Sequence, residues 1–306
     1  MKKMIIPGGS GFLGLYLARY LSLRGWESII LSRKETESEY DNIRYVQWDG
    51  KTLGDWKKEF EGADAVVNMA GRTVNCRYTE ENKRQIMDSR VDSTKVLGEA
   101  IAACQNPPKL WVNSSTATIY KDTRGDQPAN DEYNGVLGDD FSMNVAKTWE
   151  KTFNEAKVQS SVRKVALRTA IVLGRDGGAM GPILNLVSVG LGGKQGPGTQ
   201  WVSWVHVEDF SRIIEFLVEK EEVEGIINCA APNPELNKNF MRKLRYVYRR
   251  WFGFPLPTFL LKFGAILIRT EVELVLKSRK AVSKRLAELG FEFKYKKVED
   301  AFEQIV

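Results

Sequence analysis

Residues 3–21 read KMIIPGGSGFLGLYLARYL, a short apolar run that passes through closely spaced glycines into an amphipathic segment. Met4–Ile6 is strand-like, and Phe12, Leu13, Tyr16, Leu17, Tyr20 and Leu21 recur at helical spacing. Gly8, Gly11 and Gly14 therefore fall at a strand-to-helix junction. Glycine is needed where a chain turns sharply, where backbone must approach a phosphate, and where a helix packs closely on a strand. The helix start then offers unsatisfied N–H groups and a positive dipole end to an anion. Such a junction favours a buried parallel sheet with a pyrophosphate-containing ligand at its edge.

The following residues continue the alternation. Apolar runs at Ser28–Leu31, Ile43–Trp48, Ala65–Asn68, Leu110–Asn113 and Val165–Leu167 read as further buried strands. A long helix is expected from about Thr79 to Ala103, with Ile86, Val91, Leu97 and Ile101 turned inward. After Ile171 the chain becomes loop-rich, with GRDGGAMGP and GLGGKQGPG flanking a short amphipathic helix that contains Ile183, Leu184, Leu186 and Val187. Asp209 reads as the N-cap of a helix through Leu217, and Ile226–Cys229 as one more strand. The expectation is an α/β fold: a doubly wound Rossmann parallel sheet over residues 1–235, with about 172–205 contributing to a substrate lobe. Residues 236–306 form a smaller, mostly helical C-terminal substrate lobe packed directly on it.

Composition narrows the function. A net charge of +6 suits anionic small molecules and falls short of the dense basic surface of a nucleic-acid binder. Cys76, Cys104 and Cys229 lack metal-ligand spacing and cannot all pair, which points to a reducing, cytoplasmic setting. His206 is the only histidine, so a metal site is not expected. The stretch FPLPTFLLKFGAILI at 254–268 is broken by prolines and Lys262, too short to span a bilayer.

The second strand ends in Leu31-Ser32-Arg33-Lys34. A site specific for NAD would place a carboxylate here to accept from the ribose 2′-hydroxyl. A hydroxyl and two cations suit a 2′-phosphate instead, so the expected cofactor is NADP(H) in preference to NAD.

IIPGGSGFLG, VVNMAG (66–71) and SSTATIY (114–120) resemble, in order and spacing, the extended short-chain dehydrogenases/reductases. RYTEENKRQIMDSRVDST, LRTAIVLGRDGGAMGPIL, GLGGKQGPGTQWVSWVHVEDF and AAPNPELNKNF are similar to one branch of them. That branch is described as nucleoside-diphosphate-sugar epimerase-like or cell-division-inhibitor-like, and the likeness covers nearly the whole chain, C-terminal helices included. The resemblance implies that Gly8, Gly11, Phe12, Leu13 and Gly14 line the pyrophosphate and that Ser32 and Arg33 hold the 2′-phosphate. It implies that Met69, Ala70 and Gly71 lie against the adenosine side, and that Gln85 and Arg90 reach the cofactor. Ser114 joins this set, and Arg168–Ile171, Ile171 above all, would border the nicotinamide.

For catalysis the resemblance implies a Ser or Thr that polarises the substrate oxygen, and a Tyr-x-x-x-Lys pair in which Lys holds the ribose and lowers the Tyr pKa. Thr116 fits the first role and Lys147 the last; four residues before Lys147 stands Met143, which cannot donate a proton. In the branch this tyrosine is commonly missing. Tyr120 and Tyr133 are substitutes to consider, although Tyr120 fits better as packing at the strand–helix junction. The chain also departs from the branch at Arg72, usually acidic, and at Tyr78, usually Trp. His206 is expected to be a hydrogen-bonded structural residue.

Phe240, Met241, Leu244, Val247, Tyr248 and Trp251 share helical spacing among Arg242, Lys243, Arg245, Arg249 and Arg250, which predicts a core-facing stripe with a solvated cationic face. The expected partner is therefore a small-molecule substrate, with no nucleic acid and no membrane, and a homodimer left open. The expected function is that of an NADP(H)-binding oxidoreductase or epimerase acting on a small polar substrate, nucleotide-linked compounds among them. The alternative is a non-catalytic NADP(H)-binding redox sensor or scaffold.

Overall fold

The computed structural model describes residues 1–34, 36–267 and 271–306. Its central feature is a seven-stranded parallel sheet made of β1 (Lys3–Pro7), β2 (Glu27–Ser32), β3 (Ile43–Gln47), β4 (Ala65–Asn68), β5 (Leu110–Asn113), β6 (Arg163–Thr169) and, later in the chain, β10 (Gly225–Cys229). The strand order is β10-β6-β5-β4-β1-β2-β3, so the winding reverses between β1 and β4, the point at which doubly wound sheets open a crevice.

Helices cover both faces, which is why the strands read as unbroken apolar runs. Met4 and Ile6 point to the face covered by α1 (Phe12–Ser22) and α5 (Val207–Glu219), packing with Leu17, Leu21, Phe210 and Ile214. Ile5, one residue out of phase, points to the face of α2 (Glu80–Ala102) and α3 (Phe141–Glu155), with Leu97, Ile101, Trp111 and Phe153. Thr79 caps α2, its hydroxyl accepting from the Asn82 N–H. The seven expected strands and the long second helix are all present.

Past β6 the loop-rich stretch holds short pairings absent from the sequence reading. β7 (Ile171–Leu173) runs parallel to β9 (Trp204–His206), and β8 (Trp201–Val202) pairs antiparallel with β11 (Glu235–Leu236), with α4 (Met180–Ser188) between β7 and β8. The C-terminal part adds α6 (Asn237–Val247), α7 (Thr258–Leu267), α8 (Glu273–Leu276), α9 (Lys284–Glu288) and α10 (Val298–Ile305). Phe240 of α6 meets Phe302 of α10 edge-on at 4.9 Å, in a core shared with Leu173, Met180 and Trp204. Leu286, Phe291 and Phe293 belong instead to the core of the main sheet, so this lobe packs directly on the Rossmann part.

Two expectations are corrected. The α5 helix starts at Val207, and its cap is His206, whose Nδ1 accepts from the Glu208 N–H at 3.2 Å. Asp209 sits fully buried inside the first turn, accepting from the backbone N–H groups of Lys294 and Tyr295, each at 2.9 Å. The acidic position was right for a helix start, but a buried carboxylate tying down a second segment is a different role. Trp251 does not join the core stripe either. The helix ends at Val247, Arg249 takes a left-handed φ of 54°, and the redirected chain leaves Trp251 fully exposed. Among the described residues no helix is long and apolar enough to cross a membrane, and no cluster of side chains could hold a metal ion.

Candidate active site

A cavity of about 490 Å³ opens at the carboxyl ends of β1, β4 and β5, on the reversal point of the sheet. Its first wall is the glycine turn. Gly8 has φ +72°, and a Cβ there would lie 2.6 Å from the Ala70 Cα, so only glycine lets β1 turn against the segment after β4. A Cβ on Gly14 would lie 2.3 Å from the Gly9 Cα, which forces α1 down onto the turn. Gly11, by contrast, faces open space, and α1 begins there with no side-chain cap. The first N–H groups of α1 thus remain available to an anion.

Gly8, Gly11, Phe12, Leu13, Gly14, Met69, Arg90, Ser114 and Thr116, all picked out in the sequence, line this cavity. Met69 is fixed from behind, because Asn68 at the end of β4 accepts the Ala70 N–H at 3.0 Å and donates to Asn113 at 2.8 Å. Arg90, set deep in the wall, donates to the carbonyls of Arg72 and Ile86, both at 3.0 Å, and lies 5.1 Å from the Trp149 ring. It has no carboxylate partner among the described residues. Burial lowers its pKa to about 10, which leaves it cationic at neutral pH. Gly71 backs it: a Cβ there would meet the guanidinium carbon at 3.1 Å.

Other expected residues lie off this lining. Ser32 ends β2 buried, with its Oγ accepting from the Lys34 N–H, and Arg33 projects exposed beside it. Ala70 is buried under the turn. Gln85 is bonded to Glu81 along α2, and Ile171 is 38% exposed in β7.

The α3 wall brings the largest correction. The α3 residues facing the cavity are Phe141, Ser142, Val145, Ala146 and Trp149, the last four an i, i+3, i+4, i+7 set. Met143 is buried against Gly138, and Lys147 is bonded to Asp139 at 2.9 Å, so neither belongs to this face. One residue along a helix rotates a side chain by roughly 100°, and the i, i+4 pairs on the cavity side are Phe141–Val145, Ser142–Ala146 and Val145–Trp149. None of them is a Tyr–Lys pair. Trp149 was not singled out in the sequence; the signal for it was its place seven residues after Ser142.

Opposite α3 stand Thr116, whose Oγ1 accepts from the Thr118 N–H at 3.1 Å, and Thr118 itself. Tyr78, the position at which the chain departs from its branch, also lines the cavity, edge-on to Phe141 at 5.0 Å. Burial pushes its hydroxyl up to about 12 and keeps it protonated. Tyr120 is closed off, donating to Asn228 Oδ1 at 2.8 Å, while Tyr133 is exposed and bonded to Glu288.

A buried ion pair braces this end. Glu150 of α3 receives two bonds from Arg168 of β6, at 2.9 and 2.7 Å, and a third from Ser115 at 2.6 Å. Arg168 also donates to Tyr120 at 3.0 Å, and the paired charge raises its pKa against the effect of burial. His206, packed at 3.9 Å on the Tyr295 ring, is lowered to about 4 by burial and is neutral. It is structural, as expected.

With this geometry the comparisons agree. Residues 4–230 match the model of the NAD dependent epimerase/dehydratase family, and residues 256–305 match a domain of unknown function, DUF1731. The chain is 32% identical to "Epimerase family protein YfhF" of Bacillus subtilis, over 98% of this chain and 97% of that one. A human protein, SDR39U1, solved with NADPH, superposes with a TM-score of 0.87 at 29% identity, covering 99% of this chain and 98% of that one. A nucleoside-diphosphate sugar epimerase from Corynebacterium glutamicum gives 0.76 at 28% identity, covering 99% of this chain and 58% of its own. From glycine turn to C-terminal helices, the chain belongs to the NAD dependent epimerase/dehydratase family.

Proposed function

We propose that the chain is an NADP(H)-dependent oxidoreductase or epimerase of a small polar substrate, with nucleotide-linked compounds as the first class to test. The observation that carries this reading is one cavity with two unlike ends: a glycine turn and an uncapped helix start at one, and the hydroxyls of Thr116, Thr118 and Ser142 at the other, with Arg90 in the wall against Trp149. The first end fits a dinucleotide, because a Cβ at Gly8 or Gly14 would close the turn while Gly11 is open. Ser32, Arg33 and Lys34, with no carboxylate among them, favour a 2′-phosphate. NADPH supplies a hydride when bound; the protein's part is to hold the acceptor and manage its proton.

Thr116 can donate its hydroxyl proton to a substrate oxygen while its lone pair serves the Thr118 N–H. Ser142 stands across the cavity on α3 with its hydroxyl donating to Glu273 at 2.8 Å, a pair able to relay a proton from substrate or water. Lys147 has no part in this reading, since Asp139 holds it away from the lining. The non-catalytic sensor is supported by one observation: no α3 side chain lining the cavity is a Tyr or a Lys.

The test is a screen of nucleotide sugars and small carbonyl compounds for NADPH oxidation, followed by variants on any substrate found. Thr116→Val should lower turnover by roughly 10²-fold or more, and Ser142→Tyr with Ala146→Lys should raise it by up to about 10⁴-fold. Tight NADPH binding with no hydride transfer across the screen replaces the enzyme reading with the sensor.

A further inference from the structure

A second concavity, about 420 Å³, lies apart from the active-site cavity and shares no residue with it. Lys194, Lys238, Arg242 and Arg245 line it. Its floor is tight backbone: the Gly193 N–H donates to the Phe254 carbonyl at 3.0 Å, and Gly198 is wedged between the side chains of Lys194 and Lys238. Arg245 is pinned by its bond to the Gly192 carbonyl at 2.6 Å. Lys238 and Arg242 stand four apart on α6 and Arg242 and Arg245 three apart, spacings at which like charges repel. Lys243, on another side of the helix, pairs with Glu235 and Glu299; the four groove cations have no carboxylate within ion-pair reach among the described residues. Residues 236–267 hold seven Lys and Arg and no Asp or Glu. A fold that gathers cations this way leaves a place for an anion.

The rim of the groove is apolar. After Arg249 turns the chain, Trp251 is fully exposed, Phe252 and Phe254 are each 60% exposed, and on α7 Phe259 and Phe263 are 68% and 61% exposed. Gly253 and Pro255, within this same stretch, line the groove, so cations and aromatics belong to one continuous surface. Isolated exposed apolar residues need no explanation, but this many along one short segment do.

We propose that this surface docks on an anionic lipid membrane, with lipid phosphates in the groove and the aromatic side chains in the interfacial layer. A membrane interface is the partner that sets apolar matter directly beside phosphate, and aromatic rings with flanking cations are what such an interface binds. A two-fold contact with a second copy would set this one-signed surface against itself. Single-stranded nucleic acid stacks its bases on open ring faces. Phe252 and Phe254 instead meet each other edge-on at 4.5 Å and 89°. Attachment is peripheral, with no spanning helix among the described residues. Of the stripe that the sequence places in the core, Phe240, Met241, Leu244, Val247 and Tyr248 pack there, and Trp251 is left outside with the aromatics that follow it.

Co-sedimentation of the full chain with vesicles tests the proposal, using phosphatidylcholine alone and phosphatidylcholine with roughly one-third phosphatidylglycerol, at low and physiological ionic strength. Binding should require the anionic lipid and weaken with salt. Replacing Lys194, Lys238 and Arg242 together by Gln should lower partitioning about a hundredfold, at roughly fivefold per cation. Trp251→Ala with Phe252→Ala should lower it about tenfold or more. Both variants should keep wild-type NADPH affinity, which shows that they fold, since the two cavities are separate. Four results overturn the proposal: no sedimentation with either vesicle, equal sedimentation with both, tighter binding to a single-stranded RNA oligomer than to vesicles, or a dimer in solution that Trp251→Ala dissociates.

Discussion

At the glycine-turn end of the active-site cavity the walls are backbone; at the α3 end they are side chains. Gly8 against Ala70, and Gly14 against Gly9, leave no room for a Cβ, so substitution there disturbs the sheet itself. Thr116, Ser142, Ala146 and Trp149 line the other end from elements that buried contacts hold elsewhere. The nucleotide end is thus constrained by folding, whereas the reaction end can change its chemistry residue by residue inside an unchanged frame. That asymmetry lets a chain of this family keep the glycine turn intact while its α3 wall presents neither Tyr nor Lys.

The comparison can be broken in three ways. The largest effect is expected from Glu150→Ala, which strands Arg168 as a buried cation at the α3 end and should cost about 3–5 kcal/mol in urea denaturation. NADPH affinity of the folded protein should stay within about twofold if the ends are independent, and a parallel collapse in affinity would show that they are not. Replacing Glu150 and Arg168 together by Met should recover most of the stability.

The second concerns His206, which belongs to neither end. Its folded pKa of about 4 lies below the roughly 6.5 of an unfolded chain, so the unfolded state binds more protons as pH falls. The neutral ring's contribution is fully present above pH ~6.5 and is lost progressively down to ~4, by about 3 kcal/mol in total. Glu208 and Asp209 beside it favour the proton while burial and Lys294 oppose it. His206→Asn keeps an acceptor for the Glu208 N–H without a titrating group, and thermal melts across this window should show a shallower acid slope for the variant. An unchanged slope would assign the acid sensitivity to carboxylates.

The smallest effect is the most local. Arg33→Ala should weaken NADPH by about 1–3 kcal/mol and leave NADH nearly unchanged, as read by calorimetric titration of both. Equal affinities in the parent chain would remove the argument for a 2′-phosphate site.

The same asymmetry decided what the sequence could reveal. Gly8, Gly11 and Gly14 were legible because their spacing at a strand–helix junction is a backbone requirement, visible without any partner. The strands were legible because a sheet covered on both faces leaves each strand uniformly apolar. The face of α3 was not, because reading it depends on helical phase. Lys147 offered a plausible anchor, but the α3 side chains that line the cavity are its neighbours Val145, Ala146 and Trp149. Trp149 and Glu150 carried the correct phase, one lining the cavity and the other bound to Arg168, but their partners lie on other elements. Trp251 failed for a similar reason: helical spacing continues in the sequence beyond the point where Arg249 ends the helix in space.

Arg90 has a consequence for the lifetime of the protein. A guanidinium set deep in a wall with carbonyls but no carboxylate for company is a charge that an anionic ligand in the cavity would balance. Linkage then makes persistence depend on supply: at a free ligand concentration about one hundred times its dissociation constant, the folded state gains about 2.7 kcal/mol. A cell that runs short of the dinucleotide would hold a larger unfolded fraction of this chain, open to proteases. Abundance would then follow the supply of the dinucleotide whether or not a substrate is ever turned over.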